Sequence, residues 1–136
     1  MTKYWLLKSE PGTYSWDNLV KDKTTFWDGV RNYQARNNLK LMKLGDIAFF
    51  YHSVNEKKIM GVAKVITEYY QDPSTEDKNW VAVDIEALYP LKRSITLEDI
   101  KKDGRLTEMV LVKNTRLSVQ PVTEDEFNHI IALSEQ

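Results

Sequence analysis

The segment from Asp46 to Ser53 constrains the fold of this chain more than any other. Its side chains would alternate between two faces, with Ile47, Phe49 and Tyr51 on one and Ala48, Phe50 and His52 on the other. Both faces are largely apolar, and a strand of this kind is covered on both sides. We therefore predict a central strand with other parts of the chain packed against each face.

Further strands and helices are predicted around this central strand. Strands are expected at residues 4–7, 24–27, 59–70, 80–87 and 116–120, with Gly61 a bulge or a point of close approach and Pro121 the end of the last strand. Helices are expected after the N-cap residues Ser15, Asn32, Thr96 and Thr123, and Gly45 should end the second of them. The strands lack the regular crossovers of a doubly wound fold. The predicted class is α+β, a compact, partly closed mixed β-barrel flanked by helices.

Size and composition indicate one independently folding domain over residues 1–136. Forty-two per cent of the 136 residues are apolar, which is enough material for one core. There is no Cys, so disulfides and thiolate zinc sites are excluded, and a reducing cytosol is the expected location. We expect a cytoplasmic monomer without a membrane partner, since no apolar stretch approaches the ~20 residues that span a bilayer and no heptad pattern favours a dimer.

The charge balance argues against a protein that binds phosphate through a large positive field. Nineteen Lys and Arg face twenty Asp and Glu, which gives a net charge of −1. Arg36, Lys40 and Lys43 lie at helical spacing, a pattern more typical of a solvated helix face but also suited to a phosphate backbone. Residues 71–77, by contrast, hold three acids and no base.

Motifs for catalysis or metal binding are not present in this sequence. It has no Gly-rich phosphate loop, no G-x-S-x-G and no H-E-x-x-H. His52 and Ser53 would point to opposite faces of a strand and could not readily pair as base and nucleophile, and His129 lies far along the chain on the terminal helix. We predict no catalytic residues, no metal ligands and no cofactor.

Trp27 stands apart from the other tryptophans. Trp5, Trp16 and Trp80 sit in apolar patterns typical of core residues. Trp27 lies where a strand meets the Asp28-Gly29 turn, next to a helix N-terminus. Its ring could present a face to a planar ligand whose polar edge is read by backbone amides and Asn32, although a buried role fits the pattern equally well.

Four long segments of the chain resemble the EVE domain family. They are residues 4–11, residues 27–39, residues 45–53 and residues 116–122. The resemblance implies a PUA-like fold related to YTH domains and an association with modified bases in DNA or RNA. In YTH readers a Lys-Ser pair and a Trp build the base pocket, and Lys8-Ser9-Glu10 and Trp27 occupy similar places here. The chain departs from the family pattern at Gln71, just before Asp72, a loop difference expected to leave the pocket unaffected.

Together these observations predict a non-catalytic module that reads a modified or flipped nucleobase, in DNA or RNA, in a pocket at the barrel edge. Trp27→Ala is expected to abolish binding with little change in melting temperature. The predicted ligand-binding residues are Trp27, Lys8, Ser9, Glu10, Val30, Asn32, Ser53 and Ser118, and the predicted phosphate-binding residues are Arg31, Arg36 and Arg116.

Two alternatives remain open at this point. One is an enzyme acting on a modified base or nucleotide with Glu10 or Asp28 as general base, because a base pocket with a carboxylate is also where deaminases and glycosylases begin. The other is a protein-interaction module.

Overall fold

A computed structural model describes residues 1–136, in which six strands form one mixed sheet. The strands are β1 (Tyr4–Ser9), β2 (Thr24–Trp27), β3 (Ile47–His52), β4 (Lys58–Gln71), β5 (Val81–Thr96) and β6 (Val119–Val122). The helices are α1 (Trp16–Asp22), α2 (Tyr33–Leu41), α3 (Leu97–Lys102), α4 (Val110–Lys113) and α5 (Glu124–Ser134).

The strand order is β2-β5-β4-β3-β1-β6, with β1 parallel to β3 and every other neighbouring pair antiparallel. The predicted α+β class is confirmed. The sheet does not close into a hydrogen-bonded barrel, because its edge strands β2 and β6 do not pair with each other.

The central strand is β3, as predicted, and it is covered on both faces. Phe50 belongs to a core cluster that also contains buried residues of α1 and α2, whereas the neighbouring Phe49 belongs to a second cluster with residues of α3, α4 and α5. Successive side chains of a strand point to opposite faces, so β3 contributes to both cores. The helices are therefore held by apolar burial on two sides of one sheet.

The predicted N-caps are confirmed, but one helix end differs from the prediction. Ser15, Thr96 and Thr123 each form a capping box, and the Asn32 side chain accepts the Ala35 N–H at 2.9 Å. Helix α2 ends at Leu41, before the predicted stop at Gly45. The Met42 backbone is already extended, and this places its fully buried side chain in the first core cluster.

The last strand also differs from the prediction. It covers Val119–Val122 and so includes Pro121, which was expected to end a strand over residues 116–120. A proline lacks the N–H that a central strand needs, but β6 is an edge strand paired only with β1. Strand β5 is longer than its predicted 80–87, since it continues to Thr96 alongside β4 through several register shifts.

Both histidines are engaged with carboxylates in different parts of the fold. The buried His52 accepts the Trp16 N–H at its Nε2, at 2.9 Å, so its Nδ1 carries the proton and donates to Glu56 at 2.7 Å. His129 Nε2 lies 2.6 Å from Asp103 Oδ2. His52 thus ties the start of α1 to the end of β3.

None of the helices is long and apolar enough to cross a membrane.

Gly61 is a point of close approach, as predicted. A Cβ atom placed there would lie 2.4 Å from Cζ2 of the buried Trp16 ring, and the register of β4 against β5 shifts beside it. We expect Gly61→Ala to lower the free energy of unfolding by roughly 1–3 kcal/mol through overpacking. Urea unfolding measures this loss. Gly12→Ala is the control, because nothing lies within 4 Å of a Cβ at Gly12; equal effects of the two substitutions would contradict the assignment.

Candidate functional site

A cavity of about 770 Å³ opens where the end of β1 faces the loop between β2 and α2. Its walls come from residues 8–10, 13–14 and 25–32, together with Ser118 before β6. The volume is within the range of small-molecule sites. The ends of β1 and β2, the loops that follow these strands and the residue before β6 therefore build the site.

The structure brings together most of the residues singled out in the sequence. Seven of the eight predicted ligand-binding residues line the cavity, namely Lys8, Ser9, Glu10, Trp27, Val30, Asn32 and Ser118. The eighth, Ser53, is not among the lining residues, but its N–H donates to the Ser9 carbonyl at 2.9 Å. Of the three arginines, Arg31 lines the cavity, whereas Arg36 and Arg116 lie outside it.

Trp27 combines the two roles that its sequence position allowed. It lines the cavity, yet it is only 9% exposed and belongs to the first core cluster. Its ring meets Phe50 edge to face, with 5.6 Å between centroids and an angle of 85°. The expectation that Trp27→Ala leaves the melting temperature nearly unchanged is inconsistent with this burial, since removal of a packed ring leaves a void.

Asp72, in the loop between β4 and β5, holds the wall that follows Trp27. Its fully buried carboxylate accepts the Gly29 N–H at 2.8 Å, Arg31 Nη1 at 2.9 Å and the Ser74 N–H at 2.7 Å. Gly29 has φ = 76°, a left-handed conformation that favours glycine. Asp72, the residue after the departure from the family pattern at Gln71, thus reaches across to the Gly29 turn in the cavity wall.

The charged state of Asp72 is strongly favoured. Burial alone would raise the pKa of this carboxyl, but hydrogen bonds from Ser74, Arg31 and the Gly29 N–H outweigh burial and lower the pKa to about 2. The negative charge of Asp72 in turn compensates Arg31. Arg31 is therefore a poor candidate for a freely available phosphate ligand.

Several polar groups at the cavity remain free to meet a ligand. The carboxylates of Glu10 and Asp28 have no hydrogen-bond or ion-pair partner. Asn32 uses its Oδ1 as the helix cap but keeps its amide NH₂, and the Val30 N–H has no acceptor within the protein. An aromatic ring bordered by acceptors and donors suits a planar heterocycle better than a phosphate group.

Two further polar side chains stabilise the opposite wall. Lys8 Nζ donates to the Thr115 carbonyl at 2.7 Å, and burial lowers the pKa of Lys8. The Ser9 hydroxyl donates to the Tyr14 carbonyl and closes the turn after β1. Both side chains thus shape the cavity, and Lys8 adds a positive charge that no carboxylate neutralises.

Trp80 does not fill the core, contrary to the prediction. It is partly exposed beside the exposed Tyr33, with 5.0 Å between the two ring centroids, and Arg31 Cζ lies 5.5 Å from the Trp80 ring. Arg36 Cζ lies 5.0 Å from the Tyr33 ring. Sequence reasoning missed this stack, although an aromatic residue at the first position of a helix with Arg three residues later was a usable signal.

The chain matches the EVE domain family over residues 3–133. It is 38% identical over 170 aligned positions to thymocyte nuclear protein 1 of Homo sapiens, an alignment that covers 100% of this chain and 76% of that protein. The crystal structure of human THYN1 protein in complex with 5-methylcytosine-containing DNA superposes with a TM-score of 0.92 at 38% identity, covering 99% of each chain.

A YTH domain of Zygosaccharomyces rouxii shares the fold alone, with a TM-score of 0.58 at 18% identity over 98% of this chain and 87% of that domain. The predicted PUA-like fold is thereby confirmed. The expected cytoplasmic location is wrong, because the human relative is named a nuclear protein. A lack of Cys indicates a reducing environment, and the nucleus is as reducing as the cytosol. With a match that spans nearly the whole sequence, this chain belongs to the EVE domain family.

Proposed function

We propose that this chain is a non-catalytic nucleic-acid-binding module that reads a modified or flipped nucleobase in the cavity beside Trp27. The observation that carries this proposal is the meeting of the Trp27 ring with unpartnered acceptors and donors in a single cavity. The complex of human THYN1 protein with 5-methylcytosine-containing DNA supports it, since that protein is similar over 99% of this chain. We propose that residues 1–136 act as one domain and as a monomer.

The proposed ligand contacts follow from the chemistry of the cavity walls. A base would lie against Trp27, where stacking contributes about 1–3 kcal/mol per base. The carboxylates of Glu10 and Asp28 accept hydrogen bonds, as the exocyclic amino group of cytosine requires, and the Val30 N–H and the Asn32 amide donate to ring acceptors. Arg36 and Arg116, which carry no paired carboxylate, would hold phosphates outside the cavity.

A binding screen tests this function directly. Short oligonucleotides that each carry one modification, including 5-methylcytosine, are compared with unmodified strands at two salt concentrations. We expect one modified strand to bind at least about tenfold more tightly, with that ratio kept at high salt, because phosphate attraction weakens with salt whereas pocket contacts do not. Equal affinities for modified and unmodified strands at both concentrations would refute recognition of a modified base, and no binding of any strand would refute the proposal as a whole.

An enzyme acting on a modified base is the second candidate. The two unpartnered carboxylates at the cavity favour it, since either Glu10 or Asp28 could act as a general base. Incubation with modified nucleosides and oligonucleotides, followed by mass spectrometry, distinguishes the two functions. A reader returns every substrate unchanged, and any time-dependent product identifies an enzyme.

A further inference from the structure

Four side chains form a continuous stack that runs from the edge of the cavity onto the protein surface. Arg31 Cζ lies 5.5 Å from the Trp80 ring, the Trp80 and Tyr33 ring centroids are 5.0 Å apart, and Arg36 Cζ lies 5.0 Å from the Tyr33 ring. We call these four residues the aromatic–arginine ladder. It begins at the cavity, because Arg31 is also a lining residue.

The exposure of the ladder distinguishes it from core packing. Tyr33 is 62% exposed, whereas the buried Trp5 and Trp16 are 3% and 4% exposed. Aromatic rings left accessible to water beside guanidinium groups are the features with which proteins bind unpaired nucleotides, because every base has a face that can stack. The ladder therefore offers a sequence-tolerant surface next to a pocket that holds one base.

The outer end of the ladder carries an uncompensated positive charge. Arg36 donates to the Asn37 side chain and to the Asn79 carbonyl, and no carboxylate lies within ion-pair distance of it. Arg31, at the inner end, is neutralised by Asp72. A phosphate group would therefore bind at the Arg36 end of the ladder, beyond the cavity.

We propose that the aromatic–arginine ladder binds the unpaired nucleotides that flank the base held in the cavity. This inference rests on the proposed function, and it adds the path of the strand. The three steps of the ladder add up to at most roughly 15 Å, and stacked nucleotides follow one another at about 3.4 Å, so the ladder reaches no more than about four nucleotides. Exposed Glu76 and Asp77 lie in the same loop as Asp72 and add negative charge to that loop, so the proposed contact relies on stacking as well as on the charge of Arg36.

Tyr33→Ala tests the ladder without disturbing the core. Two probes are compared: single-stranded DNA of nine nucleotides with one central 5-methylcytosine, measured by fluorescence anisotropy, and the nucleoside 5-methyl-2′-deoxycytidine, measured by NMR titration. We expect Tyr33→Ala to weaken binding of the nine-nucleotide strand by roughly 5- to 100-fold, because one base loses its stacking partner. Binding of the nucleoside should be unchanged. Tyr33→Phe keeps the ring and should retain wild-type affinity.

Tyr69→Ala provides a matched control. Tyr69 is also an exposed tyrosine, at 48%, and Lys40 Nζ lies 5.7 Å from its ring, but it is on β4 and outside the ladder. The Tyr69→Ala variant should bind both probes with wild-type affinity. Thermal unfolding of each variant verifies that the fold is intact.

Each possible result decides between the two proposals. If Tyr33→Ala binds the nine-nucleotide strand as tightly as the wild type, the proposed role of the ladder is wrong, and the proposed reader function is unaffected. An equal loss for strand and nucleoside also overturns the ladder, since Tyr33 would then shape the cavity. If the wild-type protein binds the nucleoside but gains nothing from the longer strand, the ladder is wrong. Failure of the wild-type protein to bind either probe overturns the ladder and 5-methylcytosine recognition together.

Discussion

Replacing Trp27 with Ala is expected to weaken nucleobase binding by about fivefold or more and to destabilise the fold at the same time. Loss of one stacking platform removes about 1–3 kcal/mol of binding free energy. The ring is also 9% exposed and packed against Phe50, so truncation should lower the free energy of unfolding by about 3–5 kcal/mol. Anisotropy with a modified oligonucleotide and urea unfolding measure the two effects separately.

Leu19→Ala separates binding from stability. Leu19 is fully buried in the same core cluster as Trp27 but does not line the cavity. Its truncation should cost about 2–5 kcal/mol of stability while binding is retained below the unfolding transition. If Leu19→Ala loses as much binding as Trp27→Ala, or if Trp27→Ala binds normally, Trp27 is not the stacking surface.

Asp72→Asn is expected to lower the free energy of unfolding by about 2–4 kcal/mol at pH 7, because charged hydrogen bonds contribute about 1.5–3 kcal/mol each and the neutral amide cannot accept them all. The wall at Gly29 and Arg31 should loosen as well, which weakens base binding. Urea unfolding and the oligonucleotide assay check both consequences.

The effect of Asp72 should vary with pH in a defined direction. Its pKa is about 2 in the folded protein against an ordinary 3.8, so its contribution is fully present above about pH 4 and is lost as the pH falls toward 2. The wild-type protein and Asp72→Asn should therefore converge in stability in acid. Asp77→Asn, an exposed acid in the same loop, is the control and should have little effect at any pH. A difference between wild type and Asp72→Asn that is constant from pH 7 to pH 2 would contradict this role.

Local chemistry made much of the fold predictable. Capping side chains at Ser15, Asn32, Thr96 and Thr123 mark four helix starts, because each satisfies N–H groups within its own first turn. The two-faced apolar pattern of residues 46–53 identified the central strand for an equally local reason. The cavity walls at residues 8–10 and 27–32 came from contiguous segments that resemble the family.

Contacts between distant residues account for what was not predicted. In the sequence, Asp72 is one acid in a polar loop. Only the pairing of β4 with β5 brings its side chain to Gly29, which is 43 positions away in the chain. The position of Trp80 also depends on a contact between distant residues. The loop that carries Trp80 lies beside α2, so the Trp80 ring packs against Tyr33 instead of in the core. The extension of β5 to Thr96 likewise depends on its partner strand, because an isolated segment of that composition has no preferred register.

The pairing of β1 has a consequence for the order in which a binding-competent molecule forms. Strand β1 lies between β3 and β6, so Leu7 is paired with Phe50 on one side and with Val119 on the other. During synthesis the first strand leaves the ribosome long before the last, and its second edge stays unsatisfied until residues 119–122 arrive. Ser118, just before β6, completes the cavity wall only then. The cavity is thus completed only at the end of folding. A chain that stops short of β6 exposes the unpaired edge of β1, which can pair with other chains, beside an incomplete cavity.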